Sequence, residues 1–200
     1  MKGASMDSGK KTVVGKIPVP GGGVVRMVVK DTPSQIVSLL DRMVPRVAGI
    51  PDGIGFEFLK GHSPFPVKQK DFPKEIPEGY PEEHPCSDGG TIWIPVTTED
   101  LMITHLLHET GHCLLHFPDG PDINLEDPEM RTNPMGSKME SEACAVAYLV
   151  SKALGLPDHY NRLYLDNWTG SLDRFRQESE SRVLEAATRL INQYSNAGGR

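Results

Sequence analysis

The sequence predicts a mostly helical α+β domain. Two long segments, Thr98–His116 and Ser137–Leu154, space their apolar residues at helical intervals and carry start and stop signals. Short β-rich runs bounded by Gly and Pro lie near the start and at Thr91–Val96. A chain of 200 residues, 38% hydrophobic and 24% charged, has apolar material for one core. The expected architecture is a small twisted sheet with an edge strand beside the 98–116 helix. The 137–154 helix and a C-terminal helix back that sheet. Residues 12–195 read as a single domain, preceded by a disordered basic arm, 1–11, and followed by a frayed tail, 196–200.

Thr12–Val19 and Val24–Val29 are β-rich and separated by Pro20-Gly21-Gly22-Gly23, which predicts a hairpin. A helix follows over 33–44, with Thr32 as N-cap, Pro33 at its first position and Ile36, Leu39, Leu40 and Met43 on its apolar face. Gly55–Leu59 reads as a short strand. Residues 61–89 hold six prolines, and no regular element is expected there; the stretch is a surface insertion or a rim over a substrate site. Thr91–Val96 is a strand, placed at a sheet edge because Pro95 lacks a backbone donor. Thr98 caps the next helix, Glu99 and Asp100 suit its positive end, and Pro118 stops it. After a loop over 118–136, Ser137-x-x-Glu140 has capping-box form, and Gly155 and Pro157 end that helix. Ser171–Tyr194 reads as one last helix with Phe175, Val183, Ala186, Leu190 and Tyr194 on its inner face. Glu178–Arg182 and Glu185–Arg189 are its expected surface pairs.

Composition narrows the function. The net charge of −6 argues against an electrostatic nucleic-acid binder. No apolar run reaches the ~20 residues that span a bilayer, and the first residues lack a secretory apolar region. Three cysteines without a C-x-x-C make a poor disulfide framework, so a reducing, cytoplasmic location is expected, with Cys113 and Cys144 as small buried hydrophobes. Neither a phosphate-binding G-x-x-x-x-G-K-[ST] nor a G-x-S-x-G elbow is present.

The informative anomaly is histidine. Four of the seven fall within twelve positions, and His108-Glu109-Thr110-Gly111-His112 is an H-E-x-x-H. Residues i and i+4 share a helix face one turn apart, so two imidazoles there can bind one tetrahedral zinc ion. Glu109 is rotated toward the same site and can act as base toward a water that the metal activates. At this composition the pattern would arise by chance in roughly one chain in sixty. His105, His108, His112 and His116 fall within about 80° of one another on the helix. Only His108 and His112 bracket a glutamate. His116 reads as an outer partner of the site or a charge at the helix end, and His105 as structural.

A catalytic zinc takes a third protein ligand and keeps an open position. Glu140 and Glu142 lie 28 and 30 residues beyond His112, on a helix rich in small residues that permit close approach. Ala143, Cys144, Ala147 and Ser151 lie within about 60° of Glu140, whereas Glu142 is turned by about 200°. Glu140 is the favoured ligand; its other role would be closing the capping box. Glu142 is the next choice, and Glu126 and Glu129 are weaker ones.

His108-Glu109-Thr110-Gly111-His112-Cys113-Leu114-Leu115-His116 with Glu140-Ser141-Glu142-Ala143-Cys144-Ala145-Val146-Ala147 resembles the ImmA/IrrE metallopeptidases, whose pattern is H-E-x-G-H-x-x-L-H and then E-x-E-A-N-x-F-A. Peptidase domains associated with ArdC proteins are similar as well. The resemblance covers about residues 90–168, the expected catalytic core. It implies a zincin-like fold, one zinc per chain held by His108, His112 and Glu140, and Glu109 as catalytic base. Cys144 stands where the family has Asn, Val146 where it has Phe, and Gly155-Leu156-Pro157 in place of its Met-Pro.

The expected function is a zinc-dependent endopeptidase acting on a protein or peptide partner, with Tyr148, His159, Tyr160 and Tyr164 as candidate oxyanion donors and strand 91–96 as a surface for substrate backbone. The resemblance implies regulatory cleavage, with a transcriptional repressor as one such partner, and no direct nucleic-acid or membrane contact. The alternative is a zinc-containing regulatory or binding module without peptidase activity.

Overall fold

The computed structural model describes residues 13–19, 23–28, 30–47, 49–50, 53–70, 90–116 and 137–197. The expected arm 1–11, the loop 118–136, most of the Pro-rich stretch, and with them Cys86, Glu126 and Glu129, lie outside these residues. Strands β1 (Val13–Val19) and β2 (Gly23–Val28) pair antiparallel with an irregularity between Val13 and Gly15. This is the expected hairpin. It is tied to the body by a side-chain amide: Val28 N–H donates to Asn167 Oδ1 at 3.2 Å, and Asn167 Nδ2 donates to Val28 O at 3.0 Å. Asn167 thus supplies the two groups that a neighbouring strand would offer.

Helix α1 (Gln35–Met43) buries Ile36, Val37, Leu39 and Leu40. Its N-cap is Ser34, not Thr32, and Pro33 precedes the cap instead of opening the helix. Ser34 Oγ accepts from Val37 N, and its own N–H donates to Asp166 Oδ1 at 2.8 Å, so a distant carboxylate fixes the start. Helix α2 (Phe56–Gly61) replaces the strand expected at 55–59. Phe56 and Leu59, three apart, are both buried, and Phe56 N–H donates to Glu99 Oε1 at 3.1 Å. A cap from another segment decides this helix, which local composition could not reveal. A Cβ at Gly55 would fall 2.5 Å from that Glu99 oxygen.

Strand β3 (Val67–Lys70) also contradicts expectation, since the proline-rich stretch was read as lacking regular elements. It starts directly after Pro66, and the four residues following are free of proline. It pairs in parallel with β4 (Ile92–Pro95), Val67 opposite Ile92 and Lys70 opposite Pro95. Ile92 and Ile94 are fully buried, while Trp93 is half-buried with the Lys68 ammonium 4.8 Å from its ring centre.

Helices α3 (Glu99–His116) and α4 (Lys138–Leu154) follow the predicted bounds closely. Thirteen of the seventeen residues of α4 are buried, which marks it as the central helix. It packs on α3, on α1, and on two later helices, α5 (His159–Asn167) and α7 (Glu180–Ala197). Tyr148 on α4 donates to Asp41 on α1 at 2.7 Å. Gly155, at φ 70°, ends α4 as expected. The capping box does not form: Ser137 makes no side-chain cap to the helix, which leaves Glu140 for another task.

Helix α5 has no counterpart in the sequence reading. Only Asn161, Leu165 and Asp166 in it are buried, too few for a helical stripe. The expected last helix divides at Ser179 into α6 (Leu172–Glu178) and α7. The division redirects the charges. Glu178 pairs with Lys138 and Arg174, and the expected Glu178–Arg182 pair is replaced by Arg182 with Glu142. Helix α7 continues through Ala197, two residues into the segment read as a tail. The core gathers Leu40, Leu59, Ile92, Leu106, Leu149 and Leu190 around α4. Among the described residues no helix is long and apolar enough to cross a membrane.

Helices α3 and α4 meet closely at Gly111, where a Cβ would lie 3.1 Å from both Cα and O of Ala143. Gly111→Ala should lower the thermal midpoint of the metal-free protein. Overpacking costs about 1–3 kcal/mol, against a helix-propensity gain of about 1 kcal/mol. An unchanged or raised midpoint in a melting experiment would mean that the helices can part without cost.

Candidate metal centre

Close approach at Gly111 brings the first turn of α4 against the middle of α3. His108 and His112 project from one face of α3 with their rings 4.6 Å apart, edge to face. Glu140 reaches them from α4. His108 Nε2 lies 3.0 Å from His112 Nε2, 3.3 Å from Glu140 Oε2, and His112 Nε2 lies 3.3 Å from Glu140 Oε1. One ligand atom from each of the three falls within 4.8 Å of the others.

This donor set fits a small divalent cation. Ligands at about 2.0–2.1 Å from a tetrahedral zinc are separated by edges of about 3.3 Å; here the two imidazole nitrogens stand 3.0 Å apart and each lies 3.3 Å from a different oxygen of Glu140. Two imidazole nitrogens and a carboxylate turned toward one point are all acceptors once deprotonated, and a cation satisfies them together. His112 is buried, and His108 and Glu140 are partly so. Burial opposes ionisation of Glu140, yet His112 and His108 beside it hold its carboxyl well below the usual range. For His108 burial pulls the other way, and Cys144 and Glu140 outweigh it, so its basicity is raised well above the ordinary value. The same charge partnership that would hold a proton there would hold a metal.

Glu109 is buried, with Oε1 4.0 Å from His108 Nε2, at the edge of the triangle and not within it. His105 lies outside the triangle. Of the four oxyanion candidates, Tyr148 is engaged with Asp41, and His159 and Tyr160 are exposed and stacked on each other at 4.0 Å. For Tyr164, burial raises the pKa far above the ordinary tyrosine value, and the charges of Cys144 and Glu140 add to that.

Glu142 is not a member of the triangle. It is buried, with Oε2 2.8 Å from His116 Nε2, one turn further along the same histidine stripe of α3, and His116 Nδ1 lies 3.0 Å from His112 Nδ1. Arg182 Nη1 lies 3.8 Å from Glu142 Oε1, too far for a hydrogen bond but near enough for an ion pair, and Arg182 also donates to the Leu115 carbonyl. Burial opposes the charge on Glu142, but His116, Ser179 and Arg182 keep its carboxyl below the ordinary value. Burial lowers the pKa of His116. The sequence offered His116 as an outer partner of the site or a charge at the helix end, Glu142 as the second-choice ligand and Arg182 as a surface partner of Glu178. Nothing in it joined the three.

Cys144 is a buried free thiol whose Sγ lies 3.4 Å from His108 Nδ1. Burial pushes its thiol pKa up. Cys113 is buried as expected but is disulfide-bonded rather than a simple hydrophobe.

No family profile, curated protein or solved structure matches the chain, so the meaning of the site rests on its own residues.

Glu140→Gln should reduce zinc per chain sharply after dialysis, measured by mass spectrometry. The loss should exceed the roughly 10–100-fold in affinity that follows from disturbing an outer partner of a ligand. Full zinc in the variant would move the third ligand elsewhere. Thiol titration of the unfolded chain should find one reactive cysteine before reduction and all three after it. Three before reduction would remove the Cys113 disulfide.

Proposed function

We propose that the chain is a zinc-dependent endopeptidase with a zincin-like fold, related in its motifs to the ImmA/IrrE metallopeptidases, that cleaves a specific protein partner. The observation that supports this most is the Glu109 carboxylate standing beside the His108, His112 and Glu140 triangle without joining it. A purely structural zinc clip has no use for a buried base at that place.

When bound, zinc would polarise a water molecule and the scissile carbonyl. Glu109 takes the proton released by that water and passes it to the leaving amine, so it serves as base and then as acid. Its burial keeps bulk water from competing for the proton. Tyr164, kept neutral by its surroundings, donates toward the oxygen that gains charge as the carbonyl is attacked. Strand β4 pairs with β3 along one side, and substrate backbone would add along the other. Pro95 limits how many bonds that edge can offer.

Regulatory cleavage, with a transcriptional repressor as one type of substrate, belongs to the same proposal. The Cys113 disulfide argues against the cytoplasmic location expected from the cysteine count, since reducing compartments keep thiols reduced.

Glu109→Gln keeps size and removes the base. Incubated with a mixed peptide library and read by mass spectrometry of new termini, the zinc-loaded wild type should cut and the variant should be slower by about 10²–10⁴-fold, the usual worth of general acid–base catalysis. Zinc content should match the wild type. Equal cutting by both would exclude Glu109 as the base, and no cutting by the zinc-loaded wild type would favour a non-hydrolytic zinc module.

A further inference from the structure

Contacts in series lead away from the metal triangle. His112 Nδ1 faces His116 Nδ1 at 3.0 Å, and His116 Nε2 faces Glu142 Oε2 at 2.8 Å. Glu142 Oε1 faces Arg182 Nη1 at 3.8 Å. If His112 offers Nε2 to a metal, the protons along this series have one arrangement. A ligating nitrogen carries no proton, so neutral His112 keeps its proton on Nδ1 and donates it to His116. His116 Nδ1 then accepts. The remaining proton of neutral His116 sits on Nε2 and is donated to Glu142, whose carboxylate only accepts. Each link fixes the next, and Glu142 is buried with its far oxygen toward a guanidinium.

The other ligand is held differently. Among the described residues, His108 Nδ1 meets the weakly polar Sγ of Cys144, at 3.4 Å. The two imidazoles therefore face unequal partners.

We infer that His116 and Glu142 are positioning residues for the metal, locking His112 in the tautomer that turns Nε2 toward His108 and Glu140, with Arg182 anchoring Glu142. This rests on the metal-centre reading and deepens it. It assigns work to the last turn of α3 and ties the metal to α7 through side chains that never touch it. A pair that merely joined α3 to α4 would stabilise the chain with or without metal. A positioning pair must change metal affinity beyond any change in the stability of the metal-free chain.

The test compares wild type, His116→Gln and Glu142→Gln by zinc competition against a chelator, with melting of each metal-free protein alongside. His116→Gln should bind zinc about 10–100-fold more weakly, the usual cost of losing an outer partner of a ligating histidine. Glu142→Gln, which keeps an acceptor oxygen, should lose less. Zinc affinity of His116→Gln within about twofold of wild type, well below that expected loss, would overturn the positioning role. If that variant fails to fold, nitrogen NMR of the zinc-loaded wild type decides. His116 protonated on Nε2 and bare on Nδ1 supports the inference, and the opposite tautomer overturns it. A wild type that takes up no zinc removes the metal reading and this inference together. A zinc-binding wild type with an unaffected variant removes the inference alone.

Discussion

The contact between Gly111 and Ala143 is the constraint on which the rest of the site depends. Helices carrying ordinary side chains at a crossing sit about 8–10 Å apart, and the short reach of a glutamate must then cover the remaining gap. Here α3 presents no Cβ where the backbone of α4 passes. The Glu140 carboxylate can therefore reach both Nε2 atoms. Smallness continues along α4 in Ala143, Ala145 and Ala147, all fully buried. The site is thus a product of absent side-chain volume as much as of the ligating groups.

Close packing alone would bury several charges at a cost, and the structure answers it with partners. Glu140 has two histidines, and Glu142 has His116 with Arg182 near. Buried ion pairs seldom add net stability, but breaking one by removing a partner is expensive. The arrangement also links elements far apart in sequence, since α3, α4 and α7 all contribute to one polar cluster. Asp166 and Asn167 at the end of α5 play a comparable part for the first elements, capping α1 and fastening β2.

Much of this was legible in the sequence where information is local. The long helices α3 and α4 announced themselves through caps and spacing, and the i,i+4 rule put His108 and His112 on one face before any coordinates. Glu140 followed from the small residues around it. The misreadings share a cause. The 56–61 helix is capped by Glu99, the α1 cap is reinforced by Asp166, and α5 owes its place to the polar groups at its end. None of these lies within the window that decides a local assignment. The break at Ser179 is similar, because it turns Arg182 toward the Leu115 carbonyl and Glu142 rather than toward a neighbour on its own helix. The wheel turned Glu142 away from Glu140 but could not show that it reaches His116 on the same helix that Glu140 reaches.

The burial of α4 on all sides has a consequence for how this sequence can drift. A surface helix has a face on which substitutions pass unnoticed. This helix has Lys152 as its one exposed position, with Lys138, Met139 and Glu140 partly covered at the entrance. Larger residues inside it would collide, and smaller ones have little left to remove from alanines. Divergence among chains built on this plan would therefore gather in the connecting loops and the outer faces of α6 and α7. Two such proteins could look unrelated over most of their length while sharing a nearly frozen helix.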